Sequence, residues 1–337
     1  AKPKVLDLLK NNKYGMFPSA SVGWNVGEEN FWKENIQWIN RFKLRTSFGI
    51  TGNNDITNYS FTNLLYSSNY SLGQGAGSVT SGLGETGDVL GNPEIGWEQT
   101  LEYDSGADLS FFGNKLNATV DYYYSITDKL LLQQNVSYIT GHNQFFNNIG
   151  KIQNKGYEIE ISGNVRAKNF TWKPGFNISA NKNKLISLGG EAQFISQGER
   201  NEEYIAKVGE EAVQFYGYKM IGVWQNAEEL ANNPHSADDA VGGIRVADIN
   251  GDGIINAADR TTLGSPFPDF TWGFYNAFTY KGFDMNFLVQ GSVGGEVFFG
   301  DGFYNEMRFL YKDFTEDRWF SEGVPATKPR ENNGRAW

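Results

Sequence analysis

The chain has no cysteine, which excludes a disulfide scaffold, thiolate metal sites and thiol catalysis. Only two histidines are present, His142 and His235, each in polar surroundings without ligand spacing, and both read as solvent-exposed loop residues. No run approaches the ~18 apolar residues that a membrane-spanning helix requires. Positive charge is in the minority, with 29 Lys and Arg against 39 Asp and Glu and a net charge of −10. That balance argues against a nucleic acid as partner, since phosphate binding wants clustered cations. The glycine-rich stretch GQGAGSVTSGLGETG lacks the third glycine of a phosphate-binding GxGxxG, so residues 53–91 read as a long surface loop. AKPKVLDLLKNNKYG at the start has no apolar stretch of a secretion signal, and an internal segment of a longer chain is the expectation.

What is abundant points to β-structure: 40 glycines and 15% aromatic residues, dominated by Phe and Tyr, suit many strands and turns. The chain alternates with a period of two over long stretches. Leu44, Thr46, Phe48 and Ile50 oppose Lys43, Arg45, Ser47 and Gly49; Leu101, Tyr103, Ala107, Leu109 and Phe111 oppose Glu102, Asp104, Asp108 and Ser110. Beyond a tight turn at Gly113-Asn114, Leu116, Ala118, Val120, Tyr122, Tyr124 and Ile126 oppose Asn117, Thr119, Asp121, Tyr123, Ser125 and Thr127. Tyr157, Ile159, Ile161 and Val165 form another apolar row, and Phe270, Trp272, Phe274, Phe278 and Tyr280 a further one with Asn276 as its one polar member. Strands of this length match the ~10 residues of a tilted membrane strand. A soluble sandwich also alternates, but there Asp104, Asp108, Asp121, Glu158 and Glu160 would all lie on solvent while wide aromatic faces lay opposite. Pro174 falls on a strand and predicts a bulge or kink there. Short helices are expected between Glu29 and Asn40 and from Asn226, where Glu229 supplies a capping-box partner.

Ahead of the last apolar strand, DINGDGIINAAD places Asp248, Asn250 and Asp252 at positions 1, 3 and 5, Gly253 at 6, Ile254 at 7, Asn256 at 9 and Asp259 at 12. A hard cation needs six to eight oxygens from a tightly turned backbone, and this spacing suits structural Ca²⁺ held by Asp248, Asn250, Asp252, Ile254, Asn256 and Asp259. An Asx-rich turn held by its own side chains gives the same pattern.

Several blocks carry a family resemblance in order along the chain. FPSASVGW, KLRTSFGITGN, NPEIGWE, NIGKIQNKGYE, VGEEAVQFYGYKMIGVWQ, DINGDGIINAADR and GSPFPDFTWGFYNAFTYKGFDMNFLVQGSVGG resemble the SusC/RagA-type TonB-dependent transporters. The resemblance implies an all-β fold, an antiparallel transmembrane β-barrel segment with long extracellular loops and short helices. It would be the C-terminal part of a barrel of ~22 strands, with residues 1–337 as a partial barrel domain lacking the plug. Residues 185–263 would be an extracellular excursion ending in the calcium-type loop 248–259. It further implies a Gram-negative outer membrane, import of oligosaccharides or peptides, a SusD-like surface lipoprotein, the TonB complex acting through the absent N-terminal part, and contact with outer-membrane lipid.

The alternative is a soluble, calcium-stabilised, β-rich carbohydrate-binding module. Catalysis is not expected. Glu158 and Glu160 lie about 7 Å apart on one strand face, a separation that a glycosidase pair tolerates, but any acidic strand face gives it. Tyr59, Phe61, Tyr66, Tyr70, Phe145, Phe146, Phe215 and Tyr216 are loop aromatics that could stack on a substrate at a mouth, though most such rings pack against their own fold.

Overall fold

The computed structural model describes residues 12–56, 60–63, 65–71, 79–85, 89–198, 203–298 and 316–330. They form two units. One comprises Ala1–Phe194, Lys207–Ala212 and Pro268–Val293, the other Ile195–Ala206, Val213–Phe267 and Gly294–Trp337.

The first unit is built on β1 (Ser19–Trp24), β2 (Ile39–Asn53), β3 (Leu65–Ser71), β4 (Val79–Glu85), β5 (Val89–Leu90), β6 (Glu98–Phe111), β7 (Leu116–Asn135), β8 (Gln144–Gly163), β9 (Val165–Ala167) and β10 (Phe170–Leu188). The second contains most of β11 (Gln193–Gln197) and β12 (Glu203–Lys207), with β13 (Gln214–Tyr218), β14 (Met220–Val223), β15 (Ile244–Val246) and β16 (Arg260–Gly264). The chain returns to the first unit with β17 (Phe270–Tyr280) and β18 (Phe283–Val293).

One antiparallel ladder runs in the order β1-β2-β6-β7-β8-β10-β17-β18. Its longest strands have 20 residues, against five or six in an ordinary globular sheet. Register is unbroken from Gln99↔Asp128 to Phe111↔Leu116 between β6 and β7, and from Leu116↔Gly163 to Asp128↔Lys151 between β7 and β8. Because a one-residue slip would turn every side chain over, this continuity carries one apolar face and one polar face across the sheet. Tight turns gather at one end. Phe112, Gly113 and Asn114 all have positive φ, as do Lys168, Lys281 and Gly282, and the Asn40 side chain accepts the Gly113 N–H. The β2–β6 and β7–β8 connections leave from the opposite end.

Four expectations need correction. Residues 53–91 are more than a loop, since β3 and β4 pair as a hairpin within them. Pro174 introduces no bulge, because β10 holds register with β17 through Pro174↔Asn276. The interruption lies in the neighbouring strand at Asn164, between β8 and β9, next to Gly163, which packs against Pro174, the residue with no N–H to donate. Thirdly, β7 runs past Thr127 to Asn135 by taking register shifts around Lys129, whose φ is +58°. Fourthly, His142 is buried, whereas His235 is exposed as expected.

A small core marks the long-connection end of this unit, with Ile56 and Ile95 surrounded by Phe61, Trp97, Leu131 and Phe146. In the second unit β12 pairs with β13 and β13 with β16, while β14 pairs with β15. Trp224 is fully buried beneath the Arg245 guanidinium. The two short helices form at α1 (Asn30–Asn35) and α2 (Ala227–Ala231). Asn226 caps α2 by accepting the Glu229 N–H at 2.8 Å. The Glu229 carboxylate turns back to the Gln225 N–H, one residue before the expected partner, and also meets Arg245.

Candidate functional site

The two faces of the ladder differ in chemistry. On one, Leu44, Leu109, Ala118, Val120, Ile159, Ile161, Phe176 and Ile178 occupy a central apolar band by register. Aromatic rows flank it. At the tight-turn end Trp38 stacks on Phe111 at 5.8 Å between centroids, and Trp172 on Phe278 at 6.1 Å. Towards the other end Phe48 meets Tyr103 at 4.9 Å, with Tyr122, Tyr124 and Tyr157 continuing the row. From Phe111 to Tyr103 the strand rises about 27 Å, or roughly 20 Å along the normal at a tilt of about 40°, close to the ~25 Å apolar band of outer-membrane barrels. No second layer covers this face among the described residues: Tyr122 is 52% exposed, Val120 40% and Phe274 36%. A soluble module would have to hide these rings, so the soluble alternative has no support here.

One polar side chain on this face is buried, Asn276, which is 2% exposed. Its Oδ1 accepts the Trp172 indole N–H at 3.0 Å, so the cross-strand ring shields and partly satisfies the amide.

The opposite face holds an ionic cluster that the sequence pattern placed on one side without assembling. Arg45 lies opposite Gly106, and Gly106 opposite Asp121. Lacking a side chain, Gly106 lets the guanidinium cross to Asp121, which it contacts at 2.5 and 2.6 Å, with Asp104 at 3.3 Å and Asp108 at 3.7 Å. Glu158 and Glu160 stand on the same face of the adjoining strand β8, Glu158 between Asp121 and Ser179 and Glu160 between Thr119 and Asn177. Ser179 Oγ donates to Glu158 at 3.5 Å, and both carboxylates are exposed. Nothing in this placement distinguishes the pair from other members of an acidic wall.

In the acidic loop, Asp248 accepts the N–H groups of Gly251 and Gly253 at 2.7 and 2.9 Å, Asn250 accepts from Asp252 at 3.0 Å, and Asp252 from Ile254 at 2.8 Å. Gly251 and Gly253 sit at φ +74° and +82°, where glycine is unstrained. Asp259 is fully buried and serves as a hub: its carboxylate accepts from Asn256 N at 2.8 Å and Ile249 N at 2.9 Å, closing a capping box with Asn256. The Asn256 N–H holds the Asp259 carboxyl below its ordinary range, helped by those of Ile249 and Asn250, while burial opposes the shift. As a test of fit to a hard cation, the donor set of Asp248, Asn250 and Asp252 is gathered on one turn with lone pairs to spare, and Asn250 Nδ2 reaches Asp252 at 2.9 Å. Asp259 is committed to backbone donors. Among the described residues no group of three His, Cys, Asp or Glu side chains converges as a metal cluster.

Of the aromatics named as candidate stackers, Phe61 and Phe146 belong to the small core, and Phe145 lies in β8. Phe215 meets Tyr204 at 5.6 Å, and Tyr216 lies under the Arg260 guanidinium. Phe215 and Tyr216 line a cleft of about 540 Å³ with Leu263 and Phe298. Tyr66 and Tyr70 lie in β3, and Tyr59 lies outside the described residues.

A two-faced wall of this kind asks to be compared with known barrels. The family model for the TonB-dependent receptor-like β-barrel matches residues 6–192, more than half of the chain. The chain belongs to the TonB-dependent receptor-like β-barrel family. Two TonB-dependent receptors of Formosa agariphila are 36% identical over 95% of this chain and 39% identical over 86% of it. The TonB-dependent receptor SusC of Bacteroides thetaiotaomicron is 29% identical over 86%. In these relatives the matched region is 32%, 29% and 28% of the length, so the chain spans less than a third of the receptors it matches. The RagAB peptide importer in its closed-closed state shares the fold, with a TM-score of 0.67 at 22% identity, covering 86% of this chain and 30% of the importer chain. In this barrel family the expected antiparallel, mostly-strand fold is found.

Proposed function

We propose that the receptor containing this chain sits in the outer membrane of a Gram-negative bacterium and imports oligosaccharides or peptides. The chain would supply part of the barrel wall, and energy would come from the TonB complex. One observation carries the reading: an apolar band between two aromatic rows, with no covering layer among the described residues, backed by a polar, ion-paired face. Lipid would take the first face and a wet lumen the second. The relatives named SusC and RagAB support a nutrient as cargo and a SusD-like surface lipoprotein as partner. In this reading the protein is a transporter and its acidic face lines a path; it performs no bond chemistry. The test is deletion of the gene followed by growth on single glycans or on peptides as sole nutrient, with affinity capture of the tagged receptor in detergent. Loss of growth on one nutrient class and co-capture of one surface lipoprotein are expected. Unimpaired growth on every glycan and peptide tried, with no co-captured lipoprotein, would contradict it.

The loop 248–259 is proposed to hold structural Ca²⁺ through Asp248, Asn250, Asp252, Asn256 and the Ile254 carbonyl, with Asp259 shaping the turn. Elemental analysis of the purified receptor together with proteolysis at this loop, with and without chelator, tests it. Calcium near one equivalent and faster cleavage after chelation are expected, and cleavage indifferent to chelation would count against it.

A further inference from the structure

On the band-bearing face, the tyrosine row gives way to lysines towards the long-connection end. Register places Tyr124, Lys155 and Lys182 in one row across β7, β8 and β10, with Ile126, Gln153 and Lys184 in the next. Lys155 and Lys182 are directly opposed, and like charges so placed, with Cβ atoms about 5 Å apart, destabilise a sheet. Lys155, Lys182 and Lys184 are exposed, and none has an ion-pair partner among the described residues. The one carboxylate that register puts on this face of β7, Asp128, is taken by Lys151 at 3.2 Å. Such a patch is unexpected in a chain of net charge −10.

Its position supplies the reason. Tyrosines prefer the level where hydrocarbon meets head groups, so the side chains two and four residues beyond the row of Tyr122, Tyr157 and Ala180 lie among the head groups themselves. The tight turns fall at the other end, which in outer-membrane barrels faces the periplasm, putting the lysines in the outer leaflet. We infer that Lys155, Lys182 and Lys184 form a binding patch for the phosphate group of an outer-leaflet glycolipid, the anion relieving the repulsion between Lys155 and Lys182. The acyl chains of the same lipid would lie along Tyr122, Tyr157 and Ile178. This inference rests on the outer-membrane reading of the band.

The test uses the detergent-solubilised full-length receptor, as wild type, as K155Q/K182Q/K184Q, and as K43Q/K173Q, which removes lysines from the opposite face. Native mass spectrometry follows titration with monophosphoryl lipid A, with its dephosphorylated counterpart, and with inorganic phosphate as competitor. The triple variant should bind the phosphorylated lipid about tenfold or more weakly than wild type, K43Q/K173Q should match wild type, and the dephosphorylated lipid should bind all three alike. Equal retention by wild type and triple variant would overturn the patch, as would full displacement of the lipid by millimolar inorganic phosphate. A receptor that stayed monodisperse without detergent would instead overturn the membrane reading beneath it, so the two failures are distinct.

Discussion

Arg45 reaches Asp121 over the bare backbone of Gly106, two strands away, because a Cβ at that glycine would stand 2.0 Å from the Asp121 carboxylate and 2.8 Å from the Arg45 guanidinium carbon. The salt bridge and the glycine are therefore one feature. With the cation gone, Asp104, Asp108 and Asp121 would be left as like charges on adjoining strands. R45A should lower stability by about 1–3 kcal/mol, and G106A should do the same without touching a charge. Thermal unfolding in detergent checks both, and R45A/D121N should recover part of the R45A loss.

Trp172 and Asn276 form a second linked pair, on the face assigned to lipid. Replacing the indole by a ring that cannot donate leaves a polar amide in apolar surroundings. W172F should cost about 1–3 kcal/mol, whereas N276L/W172F should be close to wild type. A double-mutant cycle measured by thermal unfolding reads the coupling directly, and additive losses would show that the hydrogen bond is immaterial.

The acidic loop should depend on pH through Asp259. A carboxylate whose folded-state pKa is depressed stabilises the fold at pH above its ordinary value of 3.8, and that contribution is lost as pH falls through the lower folded value. Amide exchange at Ile249 and Asn256 should be flat from pH 5 to 7 after correction for intrinsic rates, rising only below about pH 4. D259N should show the fast exchange at neutral pH.

How legible all this was in the sequence follows from what each feature depends on. Alternation is local, so the rows through Tyr122, Tyr157 and Trp272, the turn at Gly113-Asn114 and the cap at Asn226 could be read residue by residue. The hairpin of β3 and β4 was hidden because SSNYS and TSGLG carry no apolar alternation. The quiet passage of Pro174 depends on a gap in a neighbouring strand, and the Arg45 cluster depends on register between β2, β6 and β7. Neither is written in any single stretch of chain. His142 was misplaced because its burial comes from long-range packing and its neighbours are polar. The acidic loop was legible as a pattern, yet the pattern does not reveal that Asp259 spends its carboxylate on backbone N–H groups.

The assignment of faces predicts opposite tolerance at neighbouring positions. I159R places a charge in the apolar band and should destabilise the barrel by about 2–4 kcal/mol. E158R and E160R, on the other face of the same strand, should leave the folded yield nearly unchanged. Heat-modifiable migration of the membrane fraction gives the comparison.

The central claim is that alternate residues meet lipid and water, and it is directly measurable because this chain has no cysteine, once any cysteine elsewhere in the receptor is replaced by serine. Single cysteines at positions 118–122 and 158–161 of the full-length receptor, labelled with a bimane fluorophore in bilayers, are read with brominated lipid and with aqueous iodide as quenchers. The account predicts that labels at 118, 120, 122, 159 and 161 are quenched by lipid, while labels at 119, 121, 158 and 160 are quenched by iodide. Loss of that alternation, with both sets answering to the same quencher or to neither, would contradict it.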